Sequence, residues 1–128
     1  VLWDICKKAV YENEVVLFGT GAETRDFINS LDIARAIEVI IHSASMIGET
    51  YNLASGEQIT IRALAEKLVH FLGFQSKRIT FDQIYRSGDP MNWIADISKI
   101  KSLGYQPSIE IDEGLENYAS WFLDEHGY

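Results

Sequence analysis

One arginine and one aspartate stand three positions apart across a glycine, at Arg86, Gly88 and Asp89. An arginine guanidinium can bind two phosphate oxygens at once, and a carboxylate accepts hydrogen bonds from sugar hydroxyls. Gly88 lets the backbone turn without a side chain in the way. The spacing therefore predicts half of a site that binds phosphate and sugar together. The alternative is a salt bridge between Arg86 and Asp89 that only braces the loop.

A second arginine follows a glycine-rich turn at residues 19–21. That turn is expected to present Arg25 next to an aromatic side chain, Phe27, which would complete the site. The alternative is that Arg25 pairs with Glu23 or Asp26 on the surface, where an ion pair contributes only about 0–1 kcal/mol.

Composition restricts the class of ligand. The chain has 128 residues and a net charge of −8, whereas nucleic-acid binding usually requires a basic face. A small anionic ligand is still compatible, because screening over ~8 Å lets two arginines set a local potential. The single cysteine cannot form an internal disulfide, and no Cys and His cluster has zinc-ligand spacing. No apolar run approaches ~20 residues and no signal-peptide pattern occurs, so we expect a cytoplasmic protein without a membrane span.

The elements that must position these residues follow from periodicity. Helices are predicted over residues 2–10, behind Ser30, behind Thr60, from Asp96 to Lys101 and from about Ile111. Short strands or extended segments are predicted over residues 15–18, 25–28, 50–54 and 78–81. Alternation of strands and helices predicts an α/β fold with few short strands and about five helices.

Three predictions concern buried faces. Cys6 lies on the apolar stripe of the first helix and is expected to pack as a small hydrophobe. The helix behind Ser30 is expected to bury one apolar stripe: Ile33, Ile37, Ile40, Ile41 and Ala44. The helix behind Thr60 is expected to bury another, ending at Gly73: Leu64, Ala65, Leu68, Val69 and Leu72.

The predicted strands are too few for helices this apolar. Residues 1–128 are expected to form a single domain that is either small and irregular or lacks part of its sheet. In the second case, helices that should cover a larger sheet would expose apolar surface, and self-association in solution is expected.

Taken together, these segments resemble the C-terminal half of the sugar-nucleotide epimerases and dehydratases, in the extended branch of the short-chain dehydrogenase/reductase superfamily. The resemblance covers nearly the whole chain in the family's order and rests on these segments: residues 18–21, 24–28, 32–37, 51–52, 55–56, 86–89, 95–99, 103–107 and 113–115.

The resemblance implies roles for individual residues. It implies that Arg25 and Arg86 approach the diphosphate of a nucleoside-diphosphate sugar, that Asp89 accepts from the ribose, and that Phe27 lies near the nucleotide. In that family an N-terminal Rossmann domain holds NAD(P) and the C-terminal lobe binds the substrate. A homodimeric full-length enzyme is expected.

The family's catalytic parts are not found in this sequence. The glycines at 19 and 21 lack the rest of the cofactor fingerprint, and no tyrosine has a lysine four positions on. We therefore expect a substrate-binding lobe whose N-terminal Rossmann half is absent, with no catalytic, cofactor or metal residues of its own. NAD(P) would belong to the full-length enzyme, an epimerase or dehydratase similar to UDP-glucose 4-epimerase. The alternative is a non-catalytic nucleotide-sugar-binding or assembly module. The sequence does not specify which nucleotide base or which sugar would be bound.

Overall fold

The computed structural model describes residues 1–84 and 87–127. Within them, helices and short strands alternate in the order α1 (Leu2–Tyr11), β1 (Val15–Leu17), β2 (Thr24–Arg25), α2 (Ser30–Ser43), β3 (Ile59–Thr60), α3 (Ile61–Phe71), β4 (Ile79–Phe81), α4 (Ser98–Lys101) and α5 (Ile111–His126). The α/β class with five helices and few strands is confirmed. Arg86, one of the predicted site residues, lies outside the described residues.

The strands form two separate pairs. β1 and β4 run parallel, with Val15 opposite Ile79. β2 and β3 run antiparallel, with Thr24 opposite Thr60. Each pair joins segments that are distant in sequence, so the turn after β1 and the loop after β4 emerge side by side.

The main core lies between α1, α3, α5 and β1. The predicted stripe of α3 is buried throughout, and it packs with residues of the other three elements: Ile5, Cys6, Ala9, Val15, Leu17, Leu115, Ala119 and Phe122. Burial raises the pKa of the Cys6 thiol to about 12, so this cysteine is a neutral packing residue, as predicted.

Both ends of α3 are closed by local hydrogen bonds. The Thr60 hydroxyl accepts from the Ala63 amide at 3.1 Å. At the other end Gly73 has φ +83°, and the Phe74 amide donates back to the Val69 carbonyl at 3.0 Å. This arrangement is a Schellman motif, and it needs glycine because the left-handed conformation disfavours side chains with a Cβ.

The prediction for α2 is wrong about its cap and only partly right about its buried face, since Ile40 packs against a second core cluster. The N-cap is Asn29 rather than Ser30. The buried residues are Asp32 and Ala36, while Ile37 and Ile41 are 48% and 60% exposed. The face that packs inward has tertiary partners: the Asp32 carboxylate is held by groups more than 70 residues away, and Ala36, one turn on, is buried in that second cluster.

The predicted strand over residues 50–54 is also wrong. Strands require a partner for their backbone groups, and in the described part of the chain none pairs with this segment. Side chains hold it instead, since Lys99 Nζ donates to the Thr50 carbonyl at 3.0 Å and Asn52 Nδ2 to the Asp96 carbonyl at 3.1 Å. The strand that does form nearby, β3, was not predicted.

Candidate functional site

The turn between β1 and β2 is built around one carboxylate. Glu23 accepts hydrogen bonds from the Thr20 amide and hydroxyl at 2.9 and 3.0 Å and from the Gly21 amide at 2.8 Å. Burial tends to raise the Glu23 pKa, but these hydrogen bonds together outweigh it and hold the pKa below the usual glutamate value. A Cβ on Gly21, which has φ +83°, would lie 2.6 Å from the Phe81 ring. Glycine is therefore required where this turn passes over β4.

The turn delivers Arg25 to a fixed position. Arg25 Nη1 donates to the carbonyls of Thr24 at 2.7 Å and Pro90 at 2.9 Å, and the guanidinium carbon lies 5.8 Å from the centre of the Trp93 ring. Within the described residues the other nitrogens of this guanidinium have no hydrogen-bond partner. The alternative surface pair is not formed, because Glu23 is occupied by its own turn and Asp26 by other groups.

Arg25 and Asp89 line the same cavity. This cavity has a volume of about 190 Å³, and four parts of the chain supply its other lining residues, which are apolar side chains and two carboxylates: Val1, Asp4, Leu17, Phe18, Glu23, Ile61, Ile84 and Met91. We call it the arginine cavity. It places a guanidinium fork and a carboxylate beside an apolar surface, which suits a ligand with an anionic group, hydroxyls and a flat ring.

Phe27 lies elsewhere. It is partly buried against the main core and lines two neighbouring hollows on the side of Ile109 and Ile111. The structure therefore brings together two of the predicted site residues, Arg25 and Asp89, and sets Phe27 apart from their cavity. The position of Arg86 falls outside the described residues.

Sequence reasoning missed two kinds of residue at this site. Asp26 directly follows Arg25 and ties this segment to residues 55–56: its carboxylate accepts from the amides of Ser55 at 2.9 Å and Gly56 at 3.1 Å, and from the Ser55 hydroxyl at 2.6 Å. Asp4 reaches the arginine cavity from α1. Nothing in its spacing signals this, because an aspartate in the first turn of a helix is common on a solvated face.

The glycine turn does not fit the pyrophosphate of NAD(P). Such a site needs free backbone amides at a helix N-terminus directly after the glycines. Here the amides of Thr20 and Gly21 are bonded to Glu23, the Gly19 amide is bonded to Asp82 at 3.0 Å, and the next element is the strand β2. This turn therefore leaves no free amides for a cofactor pyrophosphate.

Two kinds of feature are absent from residues 1–84 and 87–127. No group of three or more His, Cys, Asp or Glu side chains is arranged to hold a metal ion. No helix there has the length and apolar character needed to cross a membrane.

Comparison with known proteins gives a consistent picture. A family model described as GDP-mannose 4,6 dehydratase matches residues 2–118. GDP-L-fucose synthase 1 from Arabidopsis thaliana is 36% identical over 110 residues, covering 86% of this chain and 33% of the relative. GDP-L-fucose synthase from Escherichia coli is 28% identical, covering 87% of this chain and 36% of the relative. The chain spans about a third of the length of the curated relatives it matches.

Solved structures agree with the sequence matches. The UDP-glucose 4-epimerase of Thermotoga maritima, crystallised with UDP-glucose, has a TM-score of 0.84 at 26% identity over 97% of this chain and 39% of its own. The UDP-glucuronic acid 4-epimerase of Bacillus cereus, in complex with NAD, has a TM-score of 0.82 at 26% identity, covering 98% of this chain and 39% of its own.

Proposed function

The chain belongs to the GDP-mannose 4,6 dehydratase family of NAD-dependent sugar-nucleotide epimerases and dehydratases, and from this premise we propose that it is the substrate-binding portion of such an enzyme. In this proposal the arginine cavity holds a nucleoside-diphosphate sugar. Arg25 and Arg86 bind the diphosphate, and Asp89 accepts from the ribose.

One observation carries the proposal. Arg25 and Asp89 are 64 positions apart in sequence, yet they line one cavity with apolar walls. A diphosphate removed from water needs charge-assisted donors, and arginine keeps its charge there. The Thr24 and Pro90 carbonyls fix one nitrogen of Arg25, so little side-chain entropy is lost when the others bind phosphate.

The part played by these residues is orientation. Contacts to a diphosphate remote from the reacting carbon hold the sugar in position and contribute binding energy that the chemical step can use. The glycine turn does not fit the pyrophosphate of NAD(P), and in this proposal the cofactor and the proton-transfer groups are supplied by other parts of a full-length enzyme. The reaction would be epimerisation or dehydration of the sugar.

The proposal is tested by calorimetric titration of GDP and UDP into the wild-type chain and Arg25→Ala. Hydrogen bonds to charged groups contribute roughly 1.5–3 kcal/mol, so binding should weaken at least about tenfold. Arg25→Lys, which keeps the charge but loses the fork, should be intermediate.

A matched control removes a cation elsewhere. Lys67→Ala deletes an exposed side chain paired with Asp112 at 2.7 Å, outside the arginine cavity, and should bind like wild type. Circular dichroism checks that each variant is folded. Equal affinity of Arg25→Ala and wild type, or no binding of either nucleotide by wild type, would refute the proposed site.

A further inference from the structure

A short segment beside the arginine cavity is docked on β2. The Thr24 amide donates to the Met91 carbonyl at 2.8 Å, and Thr24 forms a parallel bridge with Asn92. On its other side Thr24 lies opposite Thr60 of β3. β2 therefore lies between β3 and residues 90–93, which we call the docked segment.

The docked segment directly follows Asp89 and so carries one side of the proposed binding site. Two further hydrogen bonds join it to β2 in the described part of the chain. Arg25 Nη1 donates to the Pro90 carbonyl at 2.9 Å, and the Thr24 hydroxyl donates to Asn92 Oδ1 at 3.1 Å. Because Arg25 and Asp89 both line the arginine cavity, these contacts set where the one stands relative to the other.

The backbone around Asp89 transmits this anchoring from one side only. The ring of Pro90 fixes its own φ, and a proline restricts the residue before it to extended conformations, so Asp89 follows the docked segment. Gly88, on the other side, has φ +96°, and no described atom lies within 4 Å of the place that a Cβ would take. A glycine in open space turns without steric constraint. The place of Asp89 is therefore determined by what holds residues 90–93.

One of the three hydrogen bonds can be removed without changing a binding residue. The bond to the Pro90 carbonyl belongs to Arg25 itself, and the bond to the Met91 carbonyl belongs to the backbone. The bond between Thr24 and Asn92 joins two side chains, and neither residue is among those that line the arginine cavity in the described part of the chain. These two side chains can therefore act on a ligand only through the residues that they position.

We propose that Asn92 is a positioning residue. By accepting from the Thr24 hydroxyl it holds the docked segment on β2, and it thereby keeps the Asp89 carboxylate where it accepts from the ribose of a ligand whose diphosphate is bound by Arg25. This rests on the proposed function and deepens it, because it names what holds the two halves of the site together. The effect on affinity is limited by the net contribution of one hydrogen bond, which corresponds to about three- to tenfold.

The test is calorimetric titration of a nucleoside diphosphate, GDP or UDP, and of its 2′,3′-dideoxy counterpart, which lacks the ribose hydroxyls. Wild type should bind the ribose form more tightly. Thr24→Val keeps the shape of the side chain and removes its hydroxyl, whereas Asn92→Ala removes the acceptor. In both variants the preference for the ribose form should fall by about three- to tenfold, while the affinity for the dideoxy form is unchanged.

Matched controls accompany these variants, and circular dichroism checks that each is folded. Thr24→Ser keeps the hydroxyl and should keep the wild-type preference. Ser45→Ala removes another hydrogen bond between exposed side chains, to Glu49 at 2.9 Å, outside the arginine cavity, and should keep it too. In an Asp89→Ala background the preference should be lost, and adding Asn92→Ala should change it no further, since residues that act through one contact are not additive.

The outcomes separate this inference from the proposed function. An unchanged preference in Thr24→Val and Asn92→Ala, or an equal loss of affinity for both forms of the nucleotide, would overturn the role of Asn92 while Arg25-dependent binding persists. A wild type that binds both forms equally would overturn the ribose contact of Asp89, and this inference with it. A wild type that binds neither GDP nor UDP would overturn the proposed function as well.

Discussion

Replacing Asp32 by asparagine should destabilise the fold substantially. Asp32 is 1% exposed. One carboxylate oxygen accepts from the amides of Ser108 at 3.1 Å and Ile109 at 3.0 Å. The other accepts from the Ser108 hydroxyl at 2.8 Å and from Arg35 Nη1 at 2.9 Å. Asparagine keeps only one oxygen, so two of these four donors would face an amide N–H₂ group.

The magnitude follows from those contacts. A buried donor left without an acceptor costs ~1–3 kcal/mol. The side chain of Arg35 is 52% exposed and can donate to water instead. We therefore expect the free energy of unfolding to fall by about 3 kcal/mol, which is below the upper value for two unsatisfied buried donors. In urea denaturation this lowers the midpoint by roughly 1–2 M. Asp112→Asn, with a side chain 55% exposed, should stay within about 0.5 kcal/mol of wild type. A midpoint for Asp32→Asn equal to that of Asp112→Asn would refute this role.

The pH dependence of the free energy of unfolding tests the role of Asp32 in a second way. Burial tends to raise the pKa of Asp32, but the hydrogen bonds from Ile109, Ser108 and Arg35 together hold it below the usual aspartate value. Stability from ionised Asp32 is therefore fully present above the unfolded pKa of ~3.9. It is lost as pH falls through the lower, folded pKa. The difference between wild type and Asp32→Asn should be constant above about pH 5 and shrink in stronger acid.

Two further outcomes are expected. Tyr105 is 1% exposed, and its hydroxyl has no hydrogen-bond partner in the described part of the chain. Tyr105→Phe should therefore leave the free energy of unfolding unchanged or raise it by up to about 1 kcal/mol. A denaturation midpoint well below that of wild type would contradict this. The exposed apolar residues Ile37, Ile41, Met46 and Ile47 should favour self-association, measured by light scattering during gel filtration at rising concentration, and Ile37→Glu with Ile41→Glu should reduce it. A strictly monomeric wild type at high concentration would count against that expectation.

Local sequence patterns predicted those elements whose determinants lie within a turn or two of the chain. The apolar stripe, threonine cap and terminal glycine of α3 all lie within residues 60–74, and all are present in the structure. The same holds for the burial of Cys6 on α1. Patterns failed where a distant partner decides the outcome. The buried face of α2 includes Asp32, which accepts hydrogen bonds from residues 108–109. Residues 50–54 have strand-like composition, but no strand in the described part of the chain pairs with them.

The sequence by itself determined which chemical groups are available: a guanidinium and a carboxylate set beside glycine turns, in an acidic chain. Only the tertiary structure decided which of them meet. It brings Arg25 and Asp89 to one cavity, adds Asp4 from α1, and leaves Phe27 on another surface. The physical reason is the sequence separation of the interacting residues. Backbone preferences and helix caps act between neighbouring residues, whereas the cavity is formed by packing between segments more than 60 residues apart. No local pattern in the sequence records that packing.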